Sequence, residues 1–500
     1  MKDGLRTGAE YREAVRTDGR QVWVLGQGKV EDVTTHSATA PMVDEYVRWY
    51  DRHFDPEWQD VLLTPSDAAT AKRMPWGFVV PKRADDLTAM ARCFCATTFP
   101  TGGNVTHTPA YGQLIALGVL SMLHEQNPEP RQIASAAGYR DMIAATGRFL
   151  TFSAGAATIG YRLREDPAER AALRIVRETD RGLVLAGKIG MHTSPAYAED
   201  VYVGSASGVD YEGKRASFIV PVAGKGVTVI CRKPSSRHAS SFVSPLSGRF
   251  DELDGQMWLE NVLIPWEHVF LHDVSPDVVA RWLFWHQLYC WLMKAEFTLG
   301  LALALTHAMG LSGNEPTVEY LVDLIVDVQT VRSCQTAAER DPQFTAQGFC
   351  YPNLNHVAAG SIAMLRARQR MSEILRILPG SSLVVAPSDS DLEFPDLGDG
   401  LEQSFGGGGY TAKQRAALLQ LAWDHVSSAL DARESAFELH ANGGIPAWRG
   451  RIRRTFDRYN ELANGVLQAL DLDMPEIDLS AVRAAPTTPR RAVQPPPPAV

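Results

Sequence analysis

Apolar positions recur every three to four residues over Met42–Arg52, Ala84–Thr97 and Tyr111–Gln126, so the first 150 residues predict helices that each bury one face. A small hairpin is expected near the start, with Val22–Leu25 and Lys29–Val33 on either side of Gly26-Gln27-Gly28. The pattern changes at about residue 151. Ile175–Thr179 and Leu183–Ala186 flank Asp180-Arg181-Gly182, a hairpin signal. Asp200–Gly204, Ala216–Val222, Val227–Arg232 and Gln256–Ile264 continue as short runs between Gly, Pro and Ser turns, and Pro265 stops the last. From about residue 276 helical spacing returns over Trp282–Leu311, Val318–Asp341, Asn355–Ile377 and Ala412–Leu439, broken at Gly406–Gly409. The chain therefore predicts an N-terminal helical domain with a small hairpin (1–150), a middle antiparallel β-barrel domain (151–275) and a C-terminal helix bundle (276–483). A Pro-rich tail (484–500) reads as disordered and polyproline-like.

Composition narrows the class. With 500 residues, 45% of them hydrophobic and 21% charged, the chain is an ordinary soluble globular protein with room for two or three cores. A net charge of −9 lacks the basic footprint of a nucleic-acid binder. Six cysteines, Cys93, Cys95, Cys231, Cys290, Cys334 and Cys350, sit mostly in apolar context and read as free thiols in a reducing cytoplasm. The polar N-terminus has no secretory h-region. The most hydrophobic stretch, Trp282–Leu311, carries His286, Lys294, Glu296 and His307, which are costly in lipid, so it predicts a bundle helix and no membrane partner. His286 and Lys294 themselves read as a satisfied polar pair in the core.

Short catalytic motifs are missing. No GxGxxG follows a strand, and no Walker A loop, HExxH or GxSxG occurs; Gly204-Ser205-Ala206-Ser207-Gly208 has Ala206 at the nucleophile place. Cys93-Phe94-Cys95 lacks metal-pair spacing, so no metal site is expected.

Longer phrases carry more. Arg6–Ala38, Val105–Tyr111 (VTHTPAY), Arg148–Tyr161 (RFLTFSAGAATIGY), Val176–Gly204, Pro245–Leu271, His286–Glu296, Pro387–Asp391 and Leu421–Asp424 follow one another in the order found in the 4-hydroxyphenylacetate 3-hydroxylase family, which the chain resembles from about Arg6 to Arg449. The resemblance implies a mainly α fold with a central β-barrel, acyl-CoA dehydrogenase-like, usually assembled as a tetramer. It also implies the oxygenase half of a two-component monooxygenase. Reduced FAD from a separate, transiently docking flavin reductase would combine with dioxygen to a flavin hydroperoxide that oxygenates an aromatic or related natural-product substrate, free or carrier-tethered. A homotetramer or homodimer is expected.

The resemblance also assigns residues. Tyr111 matches the family's catalytic Tyr. His107 stands where the family carries an Arg, and Phe152 where it carries a His, so a permanent guanidinium has become a titratable imidazole and a polar group an apolar ring. His107 and Tyr111 are the expected catalytic residues. Ser205, Ala206 and Phe152 join them around substrate. Phe152, Ser153, Ala154, Thr158, Thr193, Asn442, Gly443 and Gly444 are the expected FAD contacts, where small residues allow close approach and hydroxyls can meet the flavin edge. The two replacements leave N-oxygenation or oxidative dehalogenation open as alternatives. So are a 4-hydroxybutyryl-CoA dehydratase-like enzyme, whose iron–sulfur cluster needs cysteines that this chain has out of register, and a degenerate flavin-binding protein.

Overall fold

The computed structural model describes residues 5–66, 72–126, 129–166, 169–236, 240–470 and 473–483; the tail expected to be disordered lies outside them. Six helices open the chain, α1 (Gly8–Thr17), α2 (Ala40–Asp51), α3 (Pro56–Leu62), α4 (Ala84–Thr98), α5 (Pro109–Glu125) and α6 (Pro130–Thr146), and a one-turn α7 (Ile159–Arg162) follows among the strands. Thr7 caps α1 in a capping box with Glu10, and Pro109 occupies the first turn of α5, where its missing N–H costs nothing. α5 is buried from Pro109 to Leu123, which makes it the core of this region.

Beside a two-stranded pair, Gln343–Phe344 with Cys350–Tyr351, the strands form two open sheets. One has six strands in the order β2 (Gly28–Val30), β1 (Val22–Val24), β9 (Val227–Cys231), β10 (Asp254–Pro265), β5 (Gly182–Thr193) and β4 (Leu173–Thr179). The other runs β11 (Val269–His272), β8 (Lys214–Pro221), β6 (Asp200–Val203) and β3 (Leu150–Ser153), with β7 (Asp210–Tyr211) added beside β8. The barrel expected from the sequence is therefore corrected: neither sheet closes on itself. Two pairings depart from the expected antiparallel layout. The N-terminal hairpin docks on the middle region through parallel pairing of Val22–Val24 with Val229–Cys231, and β3 pairs in parallel with β6. Both are long-range parallel contacts that a reading of local antiparallel hairpins does not anticipate.

The C-terminal part is built on α8 (Arg281–Ala308), α9 (Glu315–Arg340) and α10 (Leu354–Ile377). After the short α11 (Asp389–Leu392) and α12 (Gly398–Phe405) come α13 (Ala412–Val426), α14 (Ala429–His440), α15 (Gly444–Thr455) and α16 (Tyr459–Leu467). The single helix expected over Ala412–Leu439 is two helices, because Ser428 leaves the helical path and caps α14, accepting from the N–H groups of Leu430 and Asp431. α8 is long and apolar enough to cross a bilayer, yet 67% of that stretch is buried, and it packs against α4, α5, α9, α10 and α13. Trp282, Trp285 and Trp291 on α8 are among the largest fully buried side chains.

A buried ionic network joins sheet and bundle. Asp431, Glu434 and Glu438 lie at helical spacing along α14. Lys294 Nζ of α8 lies 2.6 Å from both Glu434 and Glu438. Arg368 of α10 holds Glu438 at 2.7 Å and Asp431 at 2.9 Å, and Arg376 reaches Asp431 at 3.0 Å. Arg433 on α14 pairs with Glu434 and, at 2.7 Å, with Asp254 at the start of β10. Asp254 also takes Arg232, which pairs with Asp251. Lys294, Arg368, Arg376, Arg433 and Arg232 thus balance Asp431, Glu434, Glu438, Asp254 and Asp251, so the buried charges cancel. Removing one member leaves its partners partly uncompensated.

Burial alone would raise the Glu434 and Asp254 carboxyls. Lys294 and Arg433 around the first, and Arg433 and Arg232 around the second, hold them below the ordinary values of 4.5 and 3.8. Depressed folded-state carboxyls stabilise fully above those values, and that stabilisation disappears as pH falls below them. Lys294→Met is expected to cost about 3 kcal/mol, read as a lower thermal midpoint, and to move the acid-unfolding midpoint to higher pH. An unchanged acid midpoint would show that the network does not clasp the two regions.

Candidate functional site

Where the bundle meets the sheets lies a cavity of about 520 Å³. Its lining draws on every part of the fold: Thr106, His107 and Tyr111 at the start of α5, Phe152 in β3 and Ala154, Ala156, Ala157, Thr158 and Ile159 after it, Gly190, Met191 and Thr193 on β5, Gln256 on β10, His286 and Gln287 on α8, and Phe437, His440, Ala441 and Asn442 at and after the end of α14. The ionic network above ties α14 to β10, and both line this space.

One wall carries the titratable rings. His107 and Tyr111 meet edge-to-face with centroids 4.6 Å apart, and Tyr111 lies 5.3 Å from His286. His107 is anchored by Glu252, whose side chain is fully buried. The His107 backbone N–H donates to Glu252 Oε1 at 2.8 Å, and the Tyr46 hydroxyl donates to the His107 carbonyl at 2.9 Å. The Thr106 hydroxyl lies 2.8 Å from Glu252 Oε2 and 2.8 Å from His107 Nδ1. An ionised carboxylate only accepts, so the single Thr106 proton goes to Glu252. Nδ1 must then donate to Thr106, which places the neutral ring's lone pair on Nε2, where no described residue bonds to it. Burial, with Cys290 and Glu252 nearby, raises the Tyr111 hydroxyl, which stays protonated.

The opposite wall is made of small residues. After β3 the chain turns at Gly155, with φ +80°, and the Gly190 N–H donates to the Ala156 carbonyl at 2.8 Å. Ala154, Ala156, Ala157 and Gly190 leave this wall free of large side chains, and Thr158 adds a hydroxyl. Thr193 also lines the cavity, but its hydroxyl donates to Asp254 at 2.9 Å. Arg162, exposed, lines the cavity as well; its backbone N–H donates to the Thr158 carbonyl, and its guanidinium makes no hydrogen bond or ion pair among the described residues. A flat smooth wall beside hydroxyls, in a volume typical of small-molecule sites, fits an isoalloxazine ring, and the free guanidinium suits a phosphate.

His107, Tyr111, Phe152, Ala154, Thr158, Thr193 and Asn442 therefore come together around one space. Asn442, at φ +55°, donates from Nδ2 to Gln287. Ser153, Ser205, Ala206, Gly443 and Gly444 do not line it. Ser153 is buried and accepts from the Gly155 N–H, Ser205 and Ala206 lie in a 3₁₀ turn, and Gly443 and Gly444 form the left-handed turn between α14 and α15. His286 and Lys294 are not a pair: Lys294 binds α14, while His286 faces the cavity. The sequence reading also passed over Glu252, inside what looks like a polar loop, as well as Thr106, Arg162 and Phe437. A dehydratase-type cluster would need thiolates converging on His286; among the described residues no group of three or more His, Cys, Asp and Glu is placed to hold a metal ion.

Comparison with known proteins agrees with this layout. Residues 7–271 match the family model described as 4-hydroxyphenylacetate 3-hydroxylase N terminal, and residues 279–468 its C terminal counterpart. The chain is 29% identical to the oxygenase component of 4-nitrophenol 4-monooxygenase/4-nitrocatechol 2-monooxygenase of Rhodococcus opacus, over 96% of this chain and 94% of that protein. It is 27% identical to the 4-hydroxyphenylacetate 3-monooxygenase oxygenase component of Thermus thermophilus, over 87% and 91%. A crystal structure of the oxygenase component of 4-hydroxyphenylacetate 3-monooxygenase complexed with FAD and 4-hydroxyphenylacetate superposes with a TM-score of 0.83 at 25% identity, covering 93% of this chain and 99% of that one.

The small-residue wall makes a paired prediction. A Cβ on Gly155 would lie 2.4 Å from the Gly204 carbonyl oxygen at a positive φ, whereas one on Gly160 meets nothing within 4 Å. Gly155→Ala is expected to destabilise by more than about 1 kcal/mol, and Gly160→Ala to leave the thermal midpoint unchanged or slightly raised.

Proposed function

Because the chain belongs to the 4-hydroxyphenylacetate 3-hydroxylase family, we propose that it is the oxygenase component of a two-component monooxygenase that hydroxylates a phenolic ring, using dioxygen and reduced FAD delivered by a separate flavin reductase. The observation that carries this reading is the two-sided cavity, with proton-handling rings on one wall and a smooth wall of small residues on the other. Reduced FAD, when bound, supplies the electrons that activate dioxygen. Ala154, Ala156, Ala157, Gly190, Thr158 and Thr193 would hold the ring system, and Arg162 the phosphate end.

The chain's own chemistry is proton management in a closed space. His107 Nε2 accepts the proton of the substrate hydroxyl, and the resulting imidazolium keeps its Nδ1–H on Thr106, backed by the Glu252 carboxylate. Tyr111, held protonated, donates a hydrogen bond to the substrate oxygen or to an oxygen being transferred. Phe152 and Phe437 keep water from the rings. An imidazole in place of a guanidinium favours a phenol without a ring-attached carboxylate, because the bidentate carboxylate partner is gone. A cytoplasmic homotetramer or homodimer accords with this reading, supported by the apolar Val322, Ile325 and Val326 left exposed on α9.

The test supplies FAD, a flavin reductase, oxygen and 4-nitrophenol. Reductase-dependent ring hydroxylation is expected; hydrogen peroxide alone, with every phenol tried, would overturn the proposal. His107→Ala is expected to lower kcat/KM by roughly 10²- to 10⁴-fold and Tyr111→Phe by roughly tenfold, both with FAD affinity unchanged.

A further inference from the structure

His107 belongs to no helix or strand. It lies in the run that precedes Pro109 and α5, where a backbone has neither ladder nor helix to satisfy it. Two distant side chains do so instead. Glu252 takes the His107 N–H at 2.8 Å, and the Tyr46 hydroxyl of α2 donates to the His107 carbonyl at 2.9 Å. Tyr46 does not line the cavity. Its fully buried ring is wedged among Tyr11, Phe149 and Tyr197, with centroids 6.1, 4.9 and 5.6 Å away, so its hydroxyl has one place to be.

Burial, then Glu252, raises the Tyr46 hydroxyl well above its ordinary value, so it keeps its proton. That proton goes to the His107 carbonyl, with Glu252 Oε1 a weaker second acceptor at 3.3 Å. Ser194 Oγ lies 2.9 Å from the Tyr46 oxygen. The phenolic proton is already engaged, so the Ser194 hydroxyl is the donor of that pair. The order is Ser194 O–H to Tyr46 O–H to His107 C=O. Ser194 itself is fully buried and stands at φ +61°, a left-handed conformation that favours glycine. Its N–H donates to the carbonyl of Leu253, the neighbour of Glu252, and its own carbonyl accepts from the N–H groups of Tyr197 and Ala198. A strained residue persists where its surroundings hold it this firmly, and here the strain aims its hydroxyl at Tyr46.

We infer that Tyr46 and Ser194 are positioning residues for the base: their two hydroxyls hold the His107 peptide, and with it the imidazole, against the strand end that carries Thr193. The inference rests on reading His107 as the base of a phenol site. Neither residue touches substrate. What they set is where His107 Nε2 stands when it takes the phenolic proton. The titratable groups facing His107 are Glu252 from the loop before β10, Tyr46 from α2, Tyr111 from the first turn of α5 and the neutral His286 from α8, and Arg433 of α14 acts electrostatically on Glu252. Losing either hydroxyl leaves all of those charges in place and frees only the peptide.

The experiment takes two readouts on the full chain. Turnover of 4-nitrophenol with FAD, a flavin reductase and oxygen gives kcat and KM. Titration of the bound probe without turnover gives the pH at which it is half ionised, because the phenolate absorbs at longer wavelength than the phenol. Tyr46→Phe keeps the ring contacts and removes only the hydroxyl. It is expected to lower kcat roughly tenfold with KM little changed, and to raise the pH of half-ionisation by about one unit, the same tenfold. Ser194→Gly removes the other hydroxyl while relieving the backbone, so its thermal midpoint is expected to change little although kcat falls. The double variant is expected to match Tyr46→Phe alone, because one relay is broken once. A pair that serves only the fold would lower stability and leave kcat and half-ionisation of the folded enzyme unmoved. That result in Tyr46→Phe, or in Ser194→Gly if the first variant does not fold, would overturn the inference and leave the phenol reading standing. Losses that multiply in the double variant would overturn the relay as well. Failure of the unsubstituted chain to bind or hydroxylate any phenol would overturn the phenol reading itself.

Discussion

Everything in the site depends on where α14 sits, and that is decided by charge. The helix turns Asp431, Glu434 and Glu438 toward the interior, where each must meet a cation or be driven to protonate. Lys294 and Arg368 reach them from α8 and α10. Arg433 extends the same network to Asp254, at the first residue of β10. A hydrophobic contact of this area would tolerate sliding; charge pairs at these distances do not. The network therefore ties the helix that carries Phe437 and His440 to the strands that carry Gln256 and Thr193.

The same logic recurs on a smaller scale at the rings. A buried carboxylate with no full cation beside it is costly, and Glu252 is compensated by the Thr106 hydroxyl, the His107 N–H and the His107 ring. What makes the carboxylate tolerable also sets the imidazole's tautomer. An arginine at position 107 would have neutralised Glu252 outright and offered only donors to the cavity. With histidine there, the site gains a lone pair and a place to put a proton. The replacement that exchanges, in the sequence, a permanent guanidinium for a titratable imidazole becomes, on the proposed function, a change from electrostatic clamp to base.

Local periodicity carried most of the secondary structure. α5, α8, α9 and α10 and the strands from Gly182 to Pro265 follow spacing that any neighbourhood of ten residues displays. What the pattern could not supply is pairing across distance. A strand's alternation names its buried face but not its neighbour, which is why the docking of Val22–Val24 on Val229–Cys231 and the open sheet in place of a barrel were hidden. The site divides in the same way. His107 and Tyr111 were legible because the phrase VTHTPAY resembles the family's substrate-side segment, and the start of α5 then brings their rings together. Glu252 lies 145 residues from His107, and Lys294 lies 140 and 144 residues from its two carboxylates. Such pairs have no local signature, so Lys294 was assigned to His286 simply because both interrupt one apolar helix. Ser205 and Ala206 were assigned by likeness of phrase, and their short 3₁₀ turn carries them out of the cavity lining.

On the proposed function, the space between α14, α5 and the two sheets holds reduced flavin and a phenol together while oxygen is split between ring and water. Isotopic labelling reads this directly: 4-nitrophenol turned over by the full chain with reductase, FAD and ¹⁸O₂, with product mass and peroxide measured in the same vial. One labelled oxygen in each product molecule and little peroxide are expected of that function. Unlabelled product, or peroxide accounting for all the oxygen consumed, would contradict it.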